Sequence, residues 1–282
     1  MYQAFYHFQG KPFQLSPDPN FLFASHGHRR AMAYLVYGMH QGEGFIVITG
    51  EIGAGKTMLA STLARKMTSR NFVLAQVVST SLEADDLVRT VAAAFGLHQE
   101  TNKAVLLNRI EQFLLTCHRQ GKRVLLVIDE AQNLPMGSLE ELRMLSNFVY
   151  DGKPLLQTFL LGQPEFRRTL MSHELEQLRQ RVIASCHLGP MEQAETEAYI
   201  VHRLRAVGWS NDPSFSSDAF AAIYQHTGGI PRKINVLCDR LFLMGHLDEK
   251  HAFTGKDVTE VISELRQEFA PMDLRGNRFG AA

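Results

Sequence analysis

Three observations predict an α/β fold, a parallel sheet covered by helices and followed by a small all-helical domain. Short apolar, β-branched runs alternate with helical patterns as far as residue 189. Those runs are apolar along most of their length, as strands buried on both faces require. From Gly189-Pro190 onward strand signals cease while helical periodicity continues.

The elements follow in order. Residues 1–24 hold Pro12, Pro17 and Pro19 among Phe5, Tyr6, Phe8, Phe13, Phe21 and Phe23. Each proline fixes φ and removes a donor, so this stretch reads as an extended aromatic arm packed onto the body, with Phe13 expected to brace a base. A helix is expected over 28–41. Strands are expected over 45–49, 72–78, 124–128 and 158–161, and helices over 57–69, 84–95, 103–119 and 138–149. The body then spans 25–189 and a helical lid 190–268, with helices over 192–206, 216–226, 232–246 and 255–268. Residues 269–282 read as a frayed tail.

Composition removes several classes. The 282 residues carry 29 Lys+Arg against 29 Asp+Glu. Residues 1–189 hold 19 basic and 16 acidic side chains, and 190–282 hold 10 and 13, so neither half offers a strongly basic surface for a nucleic-acid backbone. Cys117, Cys186 and Cys238 form no CxxC pair, and the histidines show no HExxH spacing. The cysteines read as apolar filler in a reducing compartment. No export signal opens the chain, and no run approaches the ~18 to 20 apolar residues that cross a bilayer, so a cytoplasmic protein is expected.

The sharpest motif is Gly50-Glu51-Ile52-Gly53-Ala54-Gly55-Lys56-Thr57, a full match to GxxxxGK[ST] between a strand and a helix. Its glycines let the backbone curl so that successive N–H groups face a phosphate, and the next helix adds its positive end. Lys56 would reach the β- and γ-phosphates and Thr57 would ligate Mg²⁺. Downstream, Val124–Ile128 ends in Asp129-Glu130. There Asp129 would hold Mg²⁺ and Glu130 would polarise the attacking water; the plainer reading is a strand followed by a helix cap. Gln163, just after the 158–161 strand, would touch the γ-phosphate or the water, unless it merely precedes Pro164 at a helix start. Arg179 and Arg181 are either a solvated helix end or a finger reaching a neighbour's γ-phosphate. Arg232, near a helix N-terminus, suits a phosphate partner better than the dipole there, a salt bridge being the alternative.

Together the phosphate loop, Asp129-Glu-Ala-Gln-Asn-Leu134, Leu160-Leu-Gly-Gln-Pro-Glu165 and Gly229-Ile-Pro-Arg-Lys-Ile-Asn235 resemble the ExeA/GspA-type secretion ATPases of the AAA+ superfamily. Residues 10–21 and 41–45 look most similar to the ATPase found with exosortase (PEP-CTERM) and exopolysaccharide loci. The resemblance implies a P-loop NTPase with a five-stranded sheet and a helical lid. It also implies ATP/ADP and Mg²⁺ as ligands, with Walker A at 50–57, Walker B at Asp129 and Glu130, sensor 1 at Gln163 and sensor 2 at Arg232. The finger by position is Arg181, with Arg179 in reserve. Its nucleotide set is Gly50, Glu51, Ile52, Gly53, Ala54, Gly55, Lys56, Thr57, Met58 and Arg232.

The implied partners are further copies of the chain in a nucleotide-dependent oligomer, a hexameric ring being one form it could take, and inner-membrane secretion or polysaccharide export proteins. ExeA-like members carry a membrane span and a peptidoglycan-binding segment after the ATPase domains. Neither follows Glu268, so envelope coupling is expected through a separate partner. The competing expectation is an ATP-dependent DNA-binding regulator similar to the transposition ATPases.

Overall fold

Five strands form one parallel sheet in the computed structural model, which describes residues 1–16, 18, 21–66, 71–78, 81–98 and 102–268. They are β1 (Phe45–Gly50), β2 (Phe72–Val78), β3 (Arg123–Asp129), β4 (Leu156–Gly162) and β5 (Val182–Leu188), in the order β2-β3-β4-β1-β5. The two-residue side-chain period sorts each strand between two cores. Phe45, Val47, Leu126, Ile128 and Leu160 join Leu87, Val91, Ile110, Leu114 and Leu139 on one face. Ile46, Ile48, Val127, Phe159 and Leu161 join Ala31, Leu35, Leu59 and Leu63 on the other. The covering helices are thereby fixed: α1 (His26–Gln41) and α2 (Lys56–Lys66) on the second face, and α3 (Ala84–Ala94), α4 (Lys103–Arg119) and α5 (Met136–Leu145) on the first.

Three expectations shift here. Strand β5 shows no apolar run, because as an edge strand it buries Ala184, Cys186 and Leu188 while Ser185 and His187 face outward. Helix α5 stops at Leu145 rather than 149, and a hairpin pairs Val149–Tyr150 with Lys153–Pro154. Its turn residues Asp151 (φ 51°) and Gly152 (φ 71°) both take the left-handed conformation that a two-residue hairpin favours. Helix α1 starts two residues early because the Ser25 hydroxyl caps it, accepting from the His28 N–H at 3.2 Å. The three cysteines are free and buried.

The chain divides into two compact units, the sheet-bearing one comprising Ser16–Met191 with Ile230–Arg232. The other holds α7 (Gln193–Arg205), α8 (Ser217–Thr227), most of α9 (Pro231–Leu247) and α10 (Gly255–Glu268). A two-residue parallel pair, Ser214–Phe215 with Ala252–Phe253, also lies there, although no strand was expected beyond residue 189. Residues 1–15 belong to this helical unit. Their rings pack on Phe242, with centroids at 5.7 Å for Tyr2, 5.3 Å for Tyr6, 5.5 Å for Phe8 and 5.7 Å for Phe13. Buried Arg203 fastens the segment by donating Nε to the Pro12 carbonyl (2.6 Å) and Nη2 to that of Gln14 (3.3 Å). Phe13 is therefore a core residue of the helical unit, 1% exposed, and does not brace a base. Pro17, Pro19 and the tail from 269 lie outside the described residues.

Candidate functional site

All five strands run the same way, so their carboxyl ends share one edge. The phosphate loop occupies that edge between β1 and α2. Gly53 (φ 81°) and Gly55 (φ 98°) take backbone conformations closed to most side chains. A Cβ on Gly53 would stand 2.3 Å from the Arg232 Cβ, and one on Gly55 would stand 2.8 Å from His28 Nε2. Both glycines are thus required twice, by φ and by space. Lys56, 6% exposed, curls back to donate its ammonium to the Gly50 carbonyl at 2.9 Å and the Glu51 carbonyl at 3.2 Å. Burial lowers its pKa, and the carboxylates of Glu130 and Asp129 only partly restore it. Of the remaining loop residues, Ala54 is buried, Glu51 and Ile52 are exposed, and Met58 is half-buried on α2.

Across from the loop stand the ends of β3 and β4. The Thr57 hydroxyl donates to Asp129 Oδ2 at 2.6 Å. Asp129 Oδ1 accepts the Glu130 N–H at 2.9 Å, and Glu130 itself is left-handed (φ 54°, ψ 41°). A non-glycine residue held there costs about 1 kcal/mol or more and occurs where a site fixes it. Gln163 Nε2 reaches Glu130 Oε2 at 3.2 Å. Burial alone would raise the Glu130 pKa, but hydrogen bonds from Gln132 and Gln163 and the Lys56 charge outweigh it, so the group lies below the usual carboxylate range.

Lys56, Thr57, Asp129, Glu130 and Gln163 therefore converge on one edge. Arg232 joins them through its backbone, its N–H donating to the Gly53 carbonyl at 3.2 Å while its side chain is exposed. Arg179 and Arg181 do not. Arg179 donates to the carbonyls of Leu170 (3.2 Å) and Ser172 (3.4 Å), satisfying the carboxyl end of α6 (Glu165–Leu170). Arg181 precedes β5, where its carbonyl accepts the Phe45 N–H at 2.9 Å. Phe45 pairs with Val182 and Gly50 with Leu188, so Arg181 lies a full strand, about 20 Å, from its own phosphate loop. Its guanidinium donates to Ser146 Oγ at 2.6 Å and lines a hollow of about 340 Å³ with Glu43, Asn147 and Gln180.

Two contributors escape sequence reading. Gln132 donates to Glu130 Oε2 at 2.6 Å and accepts the Gln163 N–H at 2.9 Å. Its only sequence signal is its place two residues after the acid pair. His28, buried and bonded through Nδ1 to Ser25 Oγ at 2.7 Å, packs on Gly55. The Ser25 cap that aims it looks like any helix start.

These residues suit a nucleotide with a divalent cation. A hydroxyl and a carboxylate oxygen already in contact, Thr57 and Asp129, make a hard-oxygen pair of the kind Mg²⁺ takes alongside phosphate oxygens. A cation held by these two side chains would take its remaining ligands from phosphate oxygens and water.

The AAA domain family matches residues 39–170. General secretion pathway protein A of Aeromonas hydrophila is 36% identical over 267 residues, which are 94% of this chain and 48% of that protein. The chain thus spans about half the length of this curated relative. Among solved structures, Aeropyrum pernix ORC2 in its ADP form matches with a TM-score of 0.68 at 16% identity, over 93% of this chain and 74% of its own. Drosophila ORC bound to DNA matches at 0.69 and 13%, over 94% and 65%. Identities this low establish a shared fold. No helix among the described residues is long and apolar enough to cross a membrane.

Proposed function

We propose that this chain, which matches the AAA domain family over residues 39–170 and is 36% identical to a general secretion pathway protein A, is a P-loop ATPase that binds ATP with Mg²⁺, hydrolyses it, and drives or regulates assembly of an export system at the inner membrane. The observation that carries the reading is the 2.6 Å contact between Thr57 and Asp129, with Glu130 and Gln163 beside it. Backbone N–H groups of the loop and the start of α2 hold the phosphates, and Lys56 exchanges its two carbonyl partners for phosphate oxygens. Thr57 and Asp129 would hold Mg²⁺, which neutralises charge on the phosphate oxygens. Glu130, kept ionised by its amide donors, orients a water and accepts its proton. Gln163 holds the water or the terminal phosphate, and Arg232 adds a cation from the second sensor position.

Arg181, a full strand from its own loop, is read as a finger for the next copy in an oligomer, a reading its distance supports. The work done is protein assembly, secretion or exopolysaccharide export in kind, carried out on the cytoplasmic side. Phosphate release from the purified chain tests this. Lys56→Ala should lose nucleotide affinity, and Glu130→Gln should bind ATP but turn over about 10² to 10³ times more slowly. Full turnover by Glu130→Gln breaks the mechanism. Tight, salt-sensitive, ATP-dependent DNA binding would favour the regulator reading instead.

A further inference from the structure

We propose that Gln132 is a positioning residue that ties the sensor side chain Gln163 to the Glu130 carboxylate, holding that carboxylate parked until Gln163 is drawn to a nucleotide. The idea rests on the ATPase reading above and assigns a step in its control to a residue outside the phosphate loop and its sensors.

The geometry is a closed ring of hydrogen bonds. Gln132 lies in the short 3₁₀ turn Ala131–Asn133 directly after β3, and Gln163 is the first residue after β4, the adjacent strand. A glutamine amide is planar, with two donors on one side and one acceptor on the other. Gln132 uses both sides. Its Nε2 donates to Glu130 Oε2 at 2.6 Å, and its Oε1 accepts the backbone N–H of Gln163 at 2.9 Å. The side chain of Gln163 closes the ring by donating to the same Oε2 at 3.2 Å.

Two consequences follow. A carboxylate oxygen already accepting two N–H donors is a weak partner for a water, so Oε2 is idle while both amides hold it. A phosphate oxygen that recruits the Gln163 amide removes the longer of those two bonds. The shorter one, from Gln132, remains, and Gln132 is anchored on backbone rather than on the side chain that moves. The carboxylate then turns about a fixed tether instead of losing its place. Glu130 sits in a left-handed conformation between these anchors, as expected of a residue whose orientation the surroundings dictate.

The competing role is a plain structural one, in which Gln132 only fastens the turn after β3 to β4. Two variants separate the roles. Gln132→Ala removes both bonds. Gln132→Glu keeps the acceptor for the Gln163 N–H but sets a carboxylate oxygen against Glu130 in place of the donor. In ATP turnover both variants should lose about 10- to 100-fold in kcat with KM within about threefold, Gln132→Glu at least as severely as Gln132→Ala. The losses from Gln132→Ala and Gln163→Ala should be non-additive, because both amides hold one oxygen.

Amide hydrogen exchange at Gln163 in the nucleotide-free chain gives a readout independent of turnover. It should be slow in wild type and in Gln132→Glu, and faster in Gln132→Ala. Wild-type kcat in Gln132→Glu, or strictly additive losses with Gln163→Ala, overturns the coupling in favour of the structural role. Unprotected Gln163 exchange in wild type also overturns it. Absent wild-type turnover with Gln163 protected breaks the hydrolysis reading and the coupling with it. A wild-type enzyme that turns over and is indifferent to Gln132→Ala breaks the coupling alone.

Discussion

The two units are held by opposite chemistries. At the carboxyl edge of the sheet, polar side chains satisfy one another: Lys56 on its own loop's carbonyls, Thr57 on Asp129, and Gln132 and Gln163 on Glu130. In the helical unit, Tyr2, Tyr6, Phe8, Phe13 and Phe253 surround Phe242. Polar groups that pair with each other contribute only about 1 kcal/mol apiece beyond what water offers, so they can exchange partners for a ligand. Buried rings contribute several kcal/mol each and have no such alternative. The first arrangement is built to change and the second to persist. Substitutions at the sheet edge should therefore alter rate with little effect on stability, and those around Phe242 the reverse.

Arg181 offers the largest contrast. It is half-buried and bound through Ser146, so Arg181→Ala should shift stability by no more than about 1 kcal/mol. As a finger in trans it should reduce turnover by about 10³-fold. Mixing Arg181→Ala with Lys56→Ala copies should restore part of the rate, since each supplies what the other lacks. Arg179→Ala makes the control: with its guanidinium spent on the Leu170 and Ser172 carbonyls, it should keep most of the turnover. Equal rate losses in both variants, with no recovery on mixing, would remove the distinction between them.

Phe13→Ala probes the other side. Emptying a fully buried aromatic site costs about 3 to 5 kcal/mol. The chain has one tryptophan, Trp209, and it lies in the helical unit, where its Nε1 donates to the Pro213 carbonyl at 3.0 Å. Urea unfolding followed by Trp209 fluorescence reads that unit directly. A loss under about 1 kcal/mol would mean that the aromatic segment is an appendage, contrary to its packing.

What was legible in the sequence divides along the same line. Strands β1, β3 and β4 announce themselves as apolar runs because they are buried along almost their whole length, and edge strand β2 is legible through its β-branched and apolar residues although Leu74, Gln76 and Val78 are exposed. Strand β5 at the edge, with Ser185 and His187 outward, carries no such run. The phosphate loop is legible because its chemistry is contiguous: the turn, the lysine and the hydroxyl fall within eight residues. Gln132 is not, since its meaning lies in an amide 31 residues away, to which only the pairing of β3 with β4 brings it. Phe13 shows the limit in another form. Aromatics among prolines call for burial, yet composition cannot say that Phe242, over two hundred residues later, is what Tyr6, Phe8 and Phe13 bury against. Arg179 and Arg181 are alike in sequence and differ only in which oxygens they meet.

The smallest effect sharpens the comparison most, because it concerns a polar cluster inside the aromatic unit. Asp257 is the third residue of α10 and accepts from the Thr254 N–H and hydroxyl, both at 2.7 Å, while Lys250 donates to its other oxygen at 2.7 Å. That is the reciprocal half of a capping box. Burial pushes its carboxyl up, but these donors outweigh it and hold the pKa down to about 2, against an ordinary 3.8. A depressed folded-state pKa contributes stability that is complete above the unfolded value and disappears as pH falls through the folded one. With Lys250 partly in solvent, the contribution is about 1 to 2 kcal/mol at pH 7. Asp257→Asn should therefore lower urea stability at Trp209 by that amount at pH 7, and the gap should shrink to roughly half by pH 3. If the gap instead stays constant between pH 7 and pH 3, the charge is idle and only the hydrogen-bond shape matters. Polar pairs in this unit would then be fixed parts like its rings, rather than groups open to exchange.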